Sequence, residues 1–302
     1  MTSPHSLQYQ KCDMQSRQNW LRTPWVTLPA LQTDSLPKRL VAWAMDWVQN
    51  IIYPRRLLPP FSMRRVVGQT QWDLRGRQFE DHGRHVTEKL TEDAGLRPES
   101  RVLDLGNGCG RIAIPLTKIL RPPGYYRGLE LMEPLVQWCD REITSRFPHF
   151  QFAHCYVQNA LYNPKGGEKP EAYRLPFKPN QFDLVIATSV FTHMLPAATQ
   201  NYIAECARVL TAGGQFYTTF FLIDKGTSSA DGSLQFIHPQ QDIAFSVDPH
   251  TPERAVAYHS DWLLDNFRRS KLRFLPPVRW GGWTGRQPAY SWQDVLIFEK
   301  EN

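Results

Sequence analysis

No apolar run in these 302 residues approaches the roughly 20 that a membrane-spanning helix needs, so no span is expected. The first 18 residues are polar and lack the apolar core of a secretory signal. Cysteine is scarce: Cys12, Cys109, Cys139, Cys155 and Cys206 are odd in number and have no paired spacing. That pattern excludes a disulfide framework and a zinc site, and it reads as reduced thiols in a cytoplasmic protein. There is no block of five or more like charges, although the formal net charge is +6. The dispersed arginines read as solvated, with some preference for anions; neither nucleic acid nor a membrane is the expected partner. Internal repeats and low-complexity tracts are also missing.

What is present is a folded chain. The apolar fraction is 41% and the aromatic fraction 12%, enough for one large domain or a domain with an appended segment. Residues 1–35 read as irregular. From Leu36 to Tyr53, Leu40, Trp43, Ala44, Trp47 and Ile51 recur at helical spacing, with Pro37 tolerated in the first turn. "YPRRLLPPF" breaks that helix, and a second is expected over 79–94, stopped by Gly95. Strands are then expected at 101–105, 125–130, 150–156, 182–188, 215–221, 274–280 and 294–299. Helices are expected at 111–120, 133–146, 196–210 and 260–270. Continuous apolar strands such as "FDLVIA", alternating with helices, predict an α/β fold: a parallel sheet covered on both faces. The expected division is an N-terminal extension, 1–75, followed by one domain over 76–302.

The stretch "VLDLGNGCG", 102–110, does not suit a strand or a helix interior, because three glycines alternate after a buried strand. Such a turn lets the backbone pass close to something that is not protein. The dinucleotide fingerprint G-x-G-x-x-G beginning at Gly106 would need glycine at 111, where Arg111 stands. The pattern is instead D-x-G-x-G-x-G, from Asp104 to Gly110. It resembles the first motif of class I S-adenosylmethionine-dependent methyltransferases. Three further stretches carry the same resemblance: "YYRGLELMEPL", "FDLVIATSVFTHML", and "ARVLTAGGQFYTTFF" with the closing "GRQPAYSWQDVLIFEK". Together they cover roughly 79–302.

The resemblance implies a Rossmann-like sheet of seven strands, with 294–299 inserted antiparallel between 215–221 and 274–280. It implies S-adenosyl-L-methionine as cofactor and S-adenosyl-L-homocysteine as product. Asp104, Gly106, Asn107, Gly108 and Gly110 would then hold the methionyl part. Glu130, 20 residues beyond Gly110, would accept the ribose hydroxyls, as an acid at this separation does in dinucleotide folds. Leu131 and Met132 would flank adenine. Tyr156 stands where the family often has an aspartate for the adenine amino group, so that contact falls to the Val157 backbone or to Gln158. Thr188 and Ser189, at the end of the fourth strand, complete the cofactor set. Arg111 faces the positive end of its helix dipole and calls for an anion, either the cofactor carboxylate or Asp81.

On the acceptor side, His193 is the candidate general base, since imidazole titrates in the range that proton removal from oxygen requires. A purely structural histidine remains open. Tyr258, His259, Trp283 and Arg286 are expected to wall the acceptor pocket together with 223–259, a stretch of no clear period. Arg286 suits a carboxylate or phosphate on the acceptor, or it simply pairs with Asp294. The histidines of "HGRH", 82–85, have no third ligand nearby, and no metal is expected. "TSVF" is not the N/D-P-P-Y/F of amino-methylating DNA enzymes. The resulting reading is methyl transfer to a small-molecule or glycosyl-type metabolite, at oxygen in preference to nitrogen. The alternatives are an NAD-dependent oxidoreductase, a non-catalytic cofactor-binding protein and a nucleic-acid methyltransferase. The tryptophan-bearing N-terminal segment is expected to pack over the sheet edge or to form an oligomer interface.

Overall fold

The structure is a computed structural model that describes residues 36–53, 56–68, 72–223 and 231–302. Helix α1 (Leu36–Ile52) is followed by α2 (Phe61–Val66), a short helix that the proline-rich sequence did not announce, and by α3 (Arg77–Asp93). Helix α3 buries Phe79, Val86 and Leu90 and ends at Gly95, whose φ of +61° suits a residue without a side chain. The chain then alternates as expected: β1 (Arg101–Leu105), α4 (Ala113–Leu116), β2 (Tyr125–Glu130), α5 (Glu133–Cys139), β3 (Phe150–His154) and β4 (Phe182–Ala187). After these come α6 (Pro196–Val209) and the long β5 (Leu210–Phe220).

Four short strands follow: β6 (Leu222–Ile223), β7 (His238–Gln240), β8 (Ala244–Ser246) and β9 (Val256–His259). The chain closes with α7 (Ser260–Arg269), β10 (Leu272–Phe274) and β11 (Asp294–Lys300). The main sheet has seven strands in the order β10-β11-β5-β4-β1-β2-β3 and is mostly parallel. Strand β4 runs parallel to β1 and β5, whereas β11 runs antiparallel to both β5 and β10. The insertion of the last strand is therefore as the sequence implied. β5 begins earlier than expected. Its pairing with β4 slips between Phe182 and Leu184, so that 211–214, with Gly213 and Gly214, form an irregularity instead of preceding the strand. β10 stops at Phe274 because Pro276 and Pro277 offer no N–H to a ladder.

The stretch 223–259 is corrected most. Where described, it carries a second sheet, in the order β6-β9-β8-β7. Strands of two to four residues are too short to show a period in sequence. Phe221, Ile223, Phe236, Ala255, Ala257 and Trp283 form the buried cluster beneath it.

By its contacts the chain gathers into two compact units. One holds the described residues up to Thr87 with 107–119 and 127–155; the other holds 88–106, 120–126 and 156–302. In the first unit, Arg64 of α2 is wholly buried. Its guanidinium donates to Gln49 Oε1 (2.6 Å), to the Pro59 carbonyl (2.5 Å) and to the Asp73 carbonyl (2.7 Å). These bonds supply the partners that a buried cation needs.

Candidate functional site

The turn after β1 bends as its glycines permit. Gly106, Gly108 and Gly110 have φ of +66°, +55° and +81°, a region that L side chains rarely adopt. At Gly106 an added Cβ would lie 2.8 Å from a Val190 methyl, and at Gly110 it would lie 2.7 Å from Ile143 Cδ1. Asp104, at the end of β1, is buried and accepts from the Tyr126 hydroxyl at 2.5 Å. Cys109 sits inside the turn; burial pushes its thiol up to about 12, so it is not a nucleophile.

The acid at the end of β2 binds this turn directly. Glu130 Oε2 accepts from the Gly108 N–H (2.8 Å), and Oε1 accepts from the N–H groups of Leu131 (2.8 Å) and Met132 (3.0 Å). Burial raises its pKa, opposed by those three backbone donors. An ionised carboxylate offers about four lone-pair sites, so three protein donors leave capacity for a hydroxyl. The turn is pinned further by Asn107, whose N–H donates to the Leu129 carbonyl (3.3 Å) and whose amide donates to the Gly108 carbonyl (2.7 Å). Met132 is buried, and His154 Nε2 lies 2.9 Å from the Leu131 carbonyl.

The close approach at Gly108 comes from the protein itself. A Cβ there would stand 2.6 Å from Val67 Cγ1, so Val67 lies against the glycine. Arg111 Nη1 donates to the Val67 carbonyl at 2.8 Å, which holds the end of α2 in place. Arg111 thus finds a carbonyl in this segment, while Asp81 pairs with Arg84 at 2.8 Å.

In the second unit, the end of β4 turns through Ser189, a non-glycine residue with φ of +57°. Its N–H donates to Thr219 Oγ1 (2.8 Å) and its hydroxyl to Gln293 Oε1 (3.0 Å); Thr219 also donates to Gln293 Oε1 (2.6 Å). Gln293 was not picked out from the sequence, because it pairs with a residue 104 positions away. His193 follows in a short helical turn. Its Nδ1 lies 2.9 Å from the Glu253 carbonyl, and a carbonyl only accepts, so Nδ1 carries the proton. Nε2 is then the lone-pair nitrogen, 3.4 Å from the Tyr162 hydroxyl. Asn159 Nδ2 donates to the His193 carbonyl (3.2 Å), and its Oδ1 accepts from the N–H groups of Leu161 and Tyr162. Burial lowers the pKa of His193, keeping the imidazole neutral.

Several acceptor-side residues have other surroundings than expected. Tyr258 is wholly buried and donates to the Met194 carbonyl at 2.6 Å, with Thr199 Oγ1 at 2.8 Å. Trp283 is also wholly buried, and its indole N–H donates to Asp294 Oδ2 at 2.7 Å. Both are core residues, because each aromatic body is enclosed and each polar tip is satisfied internally. His259 packs edge-on against Phe245, with ring centroids 5.7 Å apart. Arg286 lies 3.8 Å from Asp294 and stacks on Trp280 at 4.1 Å, which favours the pairing over a solvent-facing anion site. Tyr156, at the end of β3, is exposed, and Val157 is buried. Among the described residues no group of three His, Cys, Asp or Glu is placed to hold a metal.

A family model described as a methyltransferase domain matches residues 103–218, from β1 through most of β5. Over those residues the chain carries an S-adenosylmethionine-dependent methyltransferase domain, consistent with class I. Its cofactor is S-adenosylmethionine, and the positive-φ turn with a buried acid 20 residues on is a donor set that fits it. The structure is similar to that of a Pyrococcus horikoshii protein, at 14% identity and TM-score 0.53, over 76% of this chain and 94% of that one. It is also similar to a methyltransferase of Methanosarcina mazei, at 18% identity and TM-score 0.46, over 68% and 94% of the two chains. The 1,6-didemethyltoxoflavin N1-methyltransferase of Burkholderia thailandensis, determined with 1,6-didemethyltoxoflavin and S-adenosylhomocysteine, matches at 14% identity and TM-score 0.46, over 89% and 91%. At 14% identity the likeness to the Pyrococcus horikoshii protein bears on fold alone.

Proposed function

We propose that the methyltransferase domain acts on a small-molecule or glycosyl-type metabolite, at an oxygen atom, with His193 as general base. The observation that carries this reading is the state of His193. Its proton is held on Nδ1 by the Glu253 carbonyl, and Nε2 keeps its lone pair toward the Tyr162 hydroxyl. A neutral imidazole with one committed nitrogen is prepared to take a proton at the other. Tyr162 shares that nitrogen and belongs to the proposed acceptor site. Tyr258 and Trp283 leave it, since both are enclosed in the core.

When bound, S-adenosylmethionine supplies a methyl group on a positively charged sulfonium. Glu130 would orient the ribose, and Asp104, Gly106, Asn107, Gly108 and Gly110 would hold the methionyl part. Leu131, Met132, Tyr156, Val157, Thr188 and Ser189 complete the proposed set. Orientation of acceptor and donor supplies most of the acceleration in an in-line displacement. The division into an extension, 1–75, and a catalytic domain, 76–302, and a cytoplasmic location belong to the same reading.

The test is a screen of acceptor metabolites with a donor labelled in its methyl group, run on wild type and on His193→Gln. Transfer to a hydroxyl that falls at least about a hundredfold in the variant supports the base role. The wild-type rate should fall on the acid side below the ordinary histidine range, since burial lowers this pKa. Methylation of nitrogen, or a rate indifferent to His193→Gln, sinks it.

A further inference from the structure

Helix α1 is inside out. An ordinary surface helix turns its apolar stripe inward and its polar side to water. Here the inward positions are Ala42, Asp46 and Gln49, at 3%, 5% and 3% exposure. The outward ones are Leu40, Trp43, Trp47 and Ile51, at 57%, 47%, 53% and 58%, with Val41 and Ile52 beside them. The spacing i, i+3, i+7, i+11 makes one continuous stripe.

The orientation is fixed by bonds on the inner side. Asp46 accepts from the Ser62 N–H (3.0 Å) and the Ser62 hydroxyl (2.6 Å). Gln49 donates to the Pro59 carbonyl (3.1 Å) and accepts from Arg64 (2.6 Å). Rotating the helix to hide its apolar face would break all four.

We propose that the outer face of α1 is a docking surface for an anionic lipid bilayer. Two tryptophans and four aliphatic side chains on one exposed face suit the boundary between headgroups and acyl chains. Charge argues for the sign of the lipid. Apart from Arg64, which is buried, and Arg56, which pairs with Glu80, the sequence of 36–68 holds Lys38, Arg39, Arg55 and Arg65 against a single acid, Asp46. That acid is turned inward, so no carboxylate of α1 opposes an anionic surface. The 17 residues rise about 26 Å, short of a hydrocarbon core with its margins, and two of the inner ones are polar; the helix lies on the bilayer and does not cross it. A second copy of the chain is less well suited, because a two-fold interface would set this net-positive segment against itself. This inference revises the sequence-based expectation of no membrane partner.

The experiment is co-sedimentation of the full chain with vesicles of phosphatidylcholine, and of phosphatidylcholine mixed equally with phosphatidylglycerol. The expected result is partition onto the anionic vesicles at least about tenfold above the neutral ones, weakened by salt. The double variant Trp43→Ser, Trp47→Ser should lose it, while its affinity for S-adenosylhomocysteine stays within about twofold of wild type, which reports a folded domain. No partition onto anionic vesicles overturns the proposal, as does equal partition of the double variant. A concentration-dependent dimer that the double variant dissolves assigns the face to a second copy. Partition that emerges only when residues 1–34 are removed assigns it to the chain's own N-terminal segment. Either result overturns the lipid.

Discussion

Glu130 and Asp294 are both buried carboxylates at strand ends, each accepting three N–H groups, yet they do different things. The donors to Glu130 are all backbone and all nearby: its two successors in sequence and Gly108 of the turn. Those to Asp294 come from separate stretches: the Leu222 and Gly281 N–H groups (2.9 and 2.8 Å) and the Trp283 indole. Asp294 is wholly enclosed and ties the start of β11 to the aromatic cluster under the second sheet. Glu130 shapes one turn, and little else rests on it. Burial raises the pKa of both, so a perturbed carboxyl does not by itself mark a site. On the proposed function, the origin of its donors separates the ligand-facing acid from the structural one.

The largest effect that should separate them is on stability. Asp294→Ala leaves three buried donors without an acceptor, and each costs about 1–3 kcal/mol. Urea unfolding should show a loss of at least about 3 kcal/mol; a change under 1 kcal/mol would dissolve the contrast. Next in size is a mechanical link at the end of β4. Gln293→Leu removes the acceptor shared by Ser189 and Thr219, and with Ser189 already at positive φ the loss should be about 2 kcal/mol. An unchanged urea midpoint would show that Ser189 does not depend on it.

Smaller still is a pH effect at a third buried acid. Burial raises Asp46 from 3.8 to about 6, so the folded state keeps a proton that the unfolded chain has released. Stability from this group is present below pH 3.8 and is lost as pH rises to about 6. Asp46→Asn should flatten the unfolding profile across that window; an unaltered slope would place the titration elsewhere.

The contrast between the two acids also bears on what could be read in advance. The positive-φ glycine turn and the place of Glu130 at the end of β2 were legible because the pattern is local: the glycines alternate, and the acid follows along one βαβ unit. The order of the sheet was legible for the same reason, since apolar strands and helices alternate over short connections. What escaped notice depends on pairing distant in sequence. Tyr162 meets His193 across 31 positions, and Gln293 meets Ser189 across 104. Trp283 read as a pocket wall because nothing local shows that Asp294 waits for its indole. The face of α1 was legible as a stripe, but a stripe carries no sign saying which side turns inward. That was decided by Ser62, Pro59 and Arg64.

The most direct test of the cofactor site is calorimetric titration of S-adenosylhomocysteine into wild type, Glu130→Ala and Asp294→Asn, at a temperature where all three are folded. Hydrogen bonds to a charged group are worth about 1.5–3 kcal/mol, so Glu130→Ala should bind roughly 10- to 150-fold more weakly. Asp294→Asn should bind within about threefold of wild type, because its donors belong to the core. Equal affinity of wild type and Glu130→Ala would contradict the account, and so would a loss confined to Asp294→Asn.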